Sequence, residues 1–283
     1  MLEMRTLLRE VRKNESRQNQ AHVSKMLTVA DVVRMHRAQG RLQSGVDETW
    51  LRLQLQAVLD GQASMLGPYE GIDGCWKNEP CFLVAGSRGL GNAMKEGFKL
   101  SMLDGFHSIG VNHVVEDYHN FEWLFFMDKR LLDISKWDIL KEYKGRIFAH
   151  VKTRIAPSKN TVIVYTQSDG PAENIVQGLY SFVVSGMTAL NLALVTGANP
   201  IYMLGLDNGG LKHDRDGTHY KKDYPGEVRD KMRSWSKFLN RIPEMCLKYA
   251  PWAERFVNVD PLGDITVFPK MSVRDIPELK GKF

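Results

Sequence analysis

From residue 80 onward, short apolar runs alternate with stretches of helical periodicity. The runs Cys81–Ala85, His107–Val111, Trp123–Met127, Arg146–His150, Thr161–Tyr165 and Ile201–Leu206 have the length and composition of buried strands. Between them, Asn92–Leu103, Val114–Phe121, Ile134–Tyr143 and Gly186–Thr196 read as helices. This alternation predicts βαβ units: a Rossmann-like α/β fold with a mostly parallel sheet and helices on both faces. A long amphipathic helix is predicted from Gly226 to about Cys246. A short strand near Phe256–Val259 and a tail containing Val267-Phe268-Pro269 follow.

The first 66 residues differ in character. They contain no proline and only three glycines, and their apolar residues (Leu27, Val29, Val32, Val33, Met35, then Trp50, Leu51, Leu53, Leu55, Val58, Leu59) predict two or three helices. These helices are expected to pack on the core or to mediate oligomer contacts. Gly67-Pro68 and Gly71 to Gly74 break the pattern and read as a linker. The chain therefore divides into an N-terminal helical segment, 1–75, and a Rossmann-like nucleotide-binding domain, 76–283.

Composition narrows the class. No apolar run approaches the roughly 20 residues that span a bilayer, and the N-terminus has no secretory signal pattern. Cys75, Cys81 and Cys246 form no Cys-x-x-Cys or Cys/His cluster, which fits a structural role and a reducing, cytoplasmic setting. The net charge of +5 is concentrated in residues 1–46, which hold nine Lys/Arg against four Asp/Glu. That segment is either a solvated helical face or a contact for nucleic acid or another polyanion.

Five segments carry candidate chemistry. In Cys81-Phe-Leu-Val-Ala-Gly86-Ser87-Arg88-Gly89-Leu90-Gly91 a strand meets a glycine-rich turn and then a helix, an arrangement that offers backbone N–H groups to a phosphate. Its spacing differs from the dinucleotide fingerprint, and no Walker lysine follows. Asn112 and Asp128 each close an apolar strand, at the sheet edge where ligands of open α/β folds bind; Asn112 suits a base edge or sugar hydroxyl, Asp128 a hydroxyl, a metal or a cap. His113 and His119, flanking Glu116-Asp117, read as the exposed side of a helix. Ser185-Gly186 opens a helix apolar on nearly every side, which makes its first turn a natural anion seat. Asp207 ends the last apolar strand of the series. It leads into a polar loop with His213, the Asp-x-Asp pair Asp214 and Asp216, and His219, the candidate general base.

Together these segments resemble the family 42 bacterial sialyltransferases and the wider bacterial, archaeal and phage group carrying domain of unknown function 115, which includes the MptE-like hydroxymethylpterin diphosphokinases. The resemblance rests on Ala85-Gly86-Ser87-Arg88-Gly89-Leu90, Gly110-Val111-Asn112, Val184-Ser185-Gly186 and Leu204-Gly205-Leu206-Asp207, and covers roughly residues 80–220. Arg88-Gly89-Leu90 departs from the family's Gly-Pro-Ser. The resemblance implies that Gly86, Ser87, Asn112, Ser185 and Gly186 contact the cytidine monophosphate part of a donor. It also implies a later His as base, here His219 with His213 as competitor, and no required metal.

The expected function is therefore a glycosyltransferase-like transferase with a CMP-sugar-like, nucleotide-activated donor. Catalytic roles fall to His219 and Asp207, and donor contacts to Gly86, Ser87, Gly89, Asn112, Asp128, Ser185 and Gly186. No cofactor is required, the protein is expected to be a homo-oligomer without membrane association, and the acceptor is left open, with nucleic acid one candidate through residues 1–46. Two alternatives stand beside this reading. One is a magnesium-dependent diphosphokinase using Asp128, Asp207, Asp214 and Asp216. The other is a non-catalytic ligand-binding or structural protein.

Overall fold

A computed structural model describes residues 71–127, 140, 142–150, 160–164, 166–167, 170–172, 175, 179–180, 185–206, 242–263 and 265–283. Among the described residues, seven strands form one parallel sheet: β1 (Cys81–Val84), β2 (His107–Val111), β3 (Trp123–Phe126), β4 (Arg146–His150), β5 (Thr161–Val164), β8 (Ile201–Leu204) and β9 (Phe256–Asn258). Two further short strands, β6 (Thr166–Gln167) and β7 (Leu179–Tyr180), pair with each other in a separate ribbon. The order in the large sheet is β5-β4-β3-β2-β1-β8-β9. The chain builds outward from β1 to β5, then crosses back to lay β8 on the other side of β1. This is the Rossmann-like α/β architecture the sequence predicts.

Alternating strand residues show why both faces must be covered. Leu83, Ile109, Phe125, Phe148 and Met203 belong to one apolar cluster; Phe82, Leu124, Ile147, Tyr202 and Leu204 belong to the other. Strands buried on both sides read as continuous apolar runs, because no face is left for polar residues. Helix α1 (Arg88–Lys95) contributes Leu90 and Ala93 to the second cluster. Helix α2 (Ser185–Val195) joins the first and is buried from Gly186 to Val195. A third helix, α3 (Ile242–Leu247), adds Met245 and Cys246 to the α2 side.

The carboxyl end of α2 is closed by two devices. The amides of Gly74, Trp76 and Asn78 donate to the carbonyls of Val195, Thr196 and Gly197 at 2.9–3.1 Å. The guanidinium of Arg255 donates to Leu194 and Ala198 carbonyls at 2.8–3.1 Å, setting a cation at the negative end of the helix. Residues Gly71–Gly74, expected as a linker, are thus a turn seated on the core, with Ile72 and Trp76 buried beneath it. Trp76 stacks on His107 (4.7 Å) and meets Trp123 (4.0 Å), while Glu122 and Glu79 hold the His107 ring at 2.6 and 3.0 Å. Side chains therefore pack over the amino edge of the sheet.

Two expected helices differ from the prediction. The first begins at Arg88 and ends at Lys95, followed by a 3-10 turn at Leu100–Leu103. Gly97, with φ +101°, breaks what periodicity alone would continue. The stretch expected as helix Val114–Phe121 is only a 3-10 turn, Asn112–Glu116, in which His113 and Glu116 pair at 2.5 Å and are both largely buried rather than exposed. Of the predicted helix Gly226–Cys246, only the end falls within the described residues, as part of α3. The predicted N-terminal helices, and most of Ile134–Tyr143, lie outside them. No helix among the described residues is long and apolar enough to cross a membrane.

Candidate functional site

In an open parallel sheet the strand order reverses at one point. The loops there leave in opposite directions and open a crevice at the carboxyl edge. Here the reversal lies between β1 and β8, and four of the predicted residues converge on it. The turn after β1 is Ala85-Gly86-Ser87, with α1 starting at Arg88. The turn after β8 is Gly205-Leu206. The two are stitched together: the Ala85 amide donates to Leu204 O at 2.9 Å and the Ser87 amide to Gly205 O at 3.0 Å. Gly205 sits at φ +66°, and a Cβ there would overlap the Ala85 carbonyl oxygen. Only glycine permits this approach.

Ser185-Gly186, at the start of α2, reaches the same place from the other face. A Cβ on Gly186 would stand 2.5 Å from Leu206 Cδ1 and 3.9 Å from Ala85 Cβ. Two helix N-termini thus flank the β1–β8 crevice. Neither helix has an acidic residue in its first turn, although carboxylates are favoured there. The positive ends of both dipoles therefore face this crevice without a carboxylate of their own first turns.

Arg88 sharpens the point. It is the first residue of α1, where a cation opposes the helix dipole, and its Nε is buried with no hydrogen-bond partner. By sequence alone Arg88 is only a departure from a familiar turn. The signal available was its position, a lone cation at the head of a helix that follows a strand. Gly89, predicted as part of the turn, is the second residue of α1 and buried. The turn is shorter than the glycine spacing suggests, because the helix starts directly after Ser87.

Asn112 directly follows β2, the strand beside β1. It adopts φ +54°, a region that Asn tolerates better than most residues, and its Oδ1 accepts from the Met127 amide at 3.5 Å. Its acceptor is thus engaged in tying the ends of β2 and β3. What it offers a ligand is the Nδ2 donor. Asp260, not predicted, lies at the carboxyl edge two residues past the Met203–Asn258 pair. It is 2% exposed, and its Oδ1 accepts from the Leu262 amide at 3.1 Å. Asp128, Asp207, His213, Asp214, Asp216 and His219 lie outside the described residues. Among the described residues, no group of three His, Cys, Asp or Glu is placed to hold a metal ion.

The cysteines lie away from this chemistry. Burial pushes the Cys246 thiol up to about 12 and raises the Cys81 thiol well above its ordinary value. Cys75 reaches the surface, yet partial burial of its thiol, then the Glu122 charge, raise it to about 11. All three are protonated at neutral pH, where a thiol is a poor nucleophile. Iodoacetamide at pH 8 is therefore expected to label Cys75 slowly and leave Cys81 and Cys246 unmodified until the protein unfolds. The folded state holds these protons more tightly than the unfolded chain, so stability is expected to fall as pH rises from about 9, the ordinary thiol value, toward 12. Mass spectrometry after alkylation and urea titrations across that range check both.

No family model matches the sequence, and no curated protein matches it.

Proposed function

We propose that the protein is a transferase that seats the phosphate of a nucleotide-activated donor in the crevice between β1 and β8. The observation that carries this reading is the meeting of two helix N-termini, Arg88–Leu90 and Ser185–Met187, at the point where the strand order reverses, with no acidic residue in either first turn. Asn112, on the neighbouring strand end, reads the nucleoside through its amide. The resemblance to family 42 sialyltransferases makes the donor a CMP-sugar.

The chemistry then runs through this chain's own groups. His219 removes the proton of an acceptor hydroxyl, whose oxygen bonds to the anomeric carbon as the bond from that carbon to the phosphate oxygen breaks. Negative charge grows on the departing phosphate. The helix N-termini and the Arg88 guanidinium are arranged before the reaction to stabilise it. The basic segment 1–46 holds a polyanionic acceptor, for which nucleic acid is the fitting chemistry; binding of that acceptor weakens steeply with salt.

Release of CMP from CMP-activated sugars, followed with and without acceptor, tests the assignment. The His219→Ala variant is expected to lower turnover by about a hundredfold or more while CMP affinity stays unchanged, since a general base contributes on that scale to rate and little to donor binding. Equal loss of affinity and rate would assign His219 to binding. Turnover of ATP alone, strictly with magnesium, would replace the reading by that of a phosphotransferase.

A further inference from the structure

Helix α2 is apolar along most of its length, and its one amide side chain, Asn191, is fully buried. Asparagine is a poor residue for a helix interior, and a buried amide is costly unless its hydrogen bonds are made. Here they are made, and all to one stretch of chain. Its Oδ1 accepts from the amides of Ala172 (3.0 Å) and Tyr180 (2.6 Å), and its Nδ2 donates to the Ala172 carbonyl (2.9 Å).

That stretch is the return crossover. The chain leaves β5 at the far edge of the sheet and must come back over four strands before β8 can be laid beside β1. Along the way it forms β7, and Tyr180, the end of β7, stands five residues before Ser185. Asn191 therefore joins the helix to the chain that feeds it, about 9 Å along the axis from Ser185 at 1.5 Å per residue. A second side chain grips the same stretch: Asp73 Oδ1 accepts from the Ile175 amide at 2.8 Å. Other polar restraints meet α2 at both of its ends without gripping the crossover. Arg255 holds its carboxyl end, and Tyr249 bonds the Met187 carbonyl from the α3 side.

We propose that Asn191 is a positioning residue for the donor-phosphate site: by clamping Ala172 and Tyr180 to α2 it sets where Ser185-Gly186 stand in the β1–β8 crevice. This rests on the nucleotide reading given above. Displacing a binding group by an ångström is costly, so loosening the clamp costs affinity as well as stability.

The test compares two ends of one helix. Wild type, Asn191→Ala and Arg255→Met are each titrated with CMP and, separately, with ATP plus magnesium, and their stabilities are measured in urea. Both variants are expected to lose stability. Asn191→Ala is expected to weaken nucleotide binding by about tenfold or more, while Arg255→Met stays within about twofold, because only the former loosens the end that bears the site. Equal affinity in wild type and Asn191→Ala, or equal weakening in both variants, overturns the proposal.

Hydrogen exchange on the wild type provides a second measurement should Asn191→Ala fail to fold. Nucleotide binding is expected to slow exchange at the Ala172 and Tyr180 amides as well as at the first turn of α2. Slowing confined to that first turn overturns the clamp. A wild type that binds neither probe overturns the nucleotide reading itself, and the clamp with it, which separates the two failures.

Discussion

Replacing Gly205 with alanine is expected to cost about 3 kcal/mol or more of stability, a large share of what a domain of this size possesses. Two effects add. At φ +66° any side chain strains the backbone, and the new Cβ would collide with the Ala85 carbonyl oxygen and approach Leu90 Cβ at 2.8 Å. Relief requires β1 and β8 to part, which breaks the bonds from Ala85 and Ser87 to Leu204 and Gly205. Gly281→Ala is the control. Its φ is +83°, but a Cβ there meets nothing within 4 Å, so only the backbone strain, about 1 kcal/mol, is lost. Urea unfolding of the two variants isolates the collision. Equal costs would mean that the two turns do not approach each other as described.

The second large effect is one of opposite signs. Arg88→Ala removes a cation from the positive end of α1 and a buried nitrogen that has no partner. The ligand-free variant is expected to be as stable as the wild type or more so, by up to about 1 kcal/mol. Its affinity for nucleotide is expected to fall by about ten- to a hundredfold, the worth of one hydrogen bond to a charged group. Arg88→Lys keeps the charge without the planar fork and is expected to fall between. Stability that rises as affinity drops is the mark of a group kept for a ligand rather than for the fold. Calorimetric titration and thermal unfolding of the three proteins measure both quantities. A destabilised Arg88→Ala with unchanged affinity would make Arg88 a structural residue.

Much of this fold is legible in the chain because the sheet is parallel and covered on both faces. Leu83 and Phe82 are both buried, so β1 reads as an unbroken apolar run with turn residues at its end, and β3 and β8 are likewise unbroken apolar runs. Helix α2 announces itself through Ser185 at its head and Gly197 past its end. The failures have equally definite causes. Ile72 and Trp76 lie among glycines and turn residues, so local pattern marks a linker; only the orphan carbonyls of α2, distant in sequence, explain why that turn is fixed. Val114–Phe121 has helical periodicity, but Asn112 enters it in a left-handed conformation and the chain manages only a 3-10 turn.

The site divides in the same manner. Gly86, Ser87, Asn112, Ser185 and Gly186 follow strand ends or open helices, and strand ends can be read from sequence. Arg88 and Asn191 cannot be recognised that way. Their meaning lies in what surrounds them: a buried Nε without a partner, and an amide whose three bonds all reach one distant stretch of chain. Asp260 becomes a neighbour of the β8 turn only through the pairing of β9 with β8.

The most direct test is the melting temperature of the wild-type protein against CMP, CDP, UDP, GDP, ADP and ATP, each with and without magnesium. A ligand that binds only the folded state stabilises it by about 2.7 kcal/mol at a hundred times its dissociation constant. A clear rise with CMP in the absence of metal is the predicted result. No rise with any of the six would contradict a nucleotide site between β1 and β8.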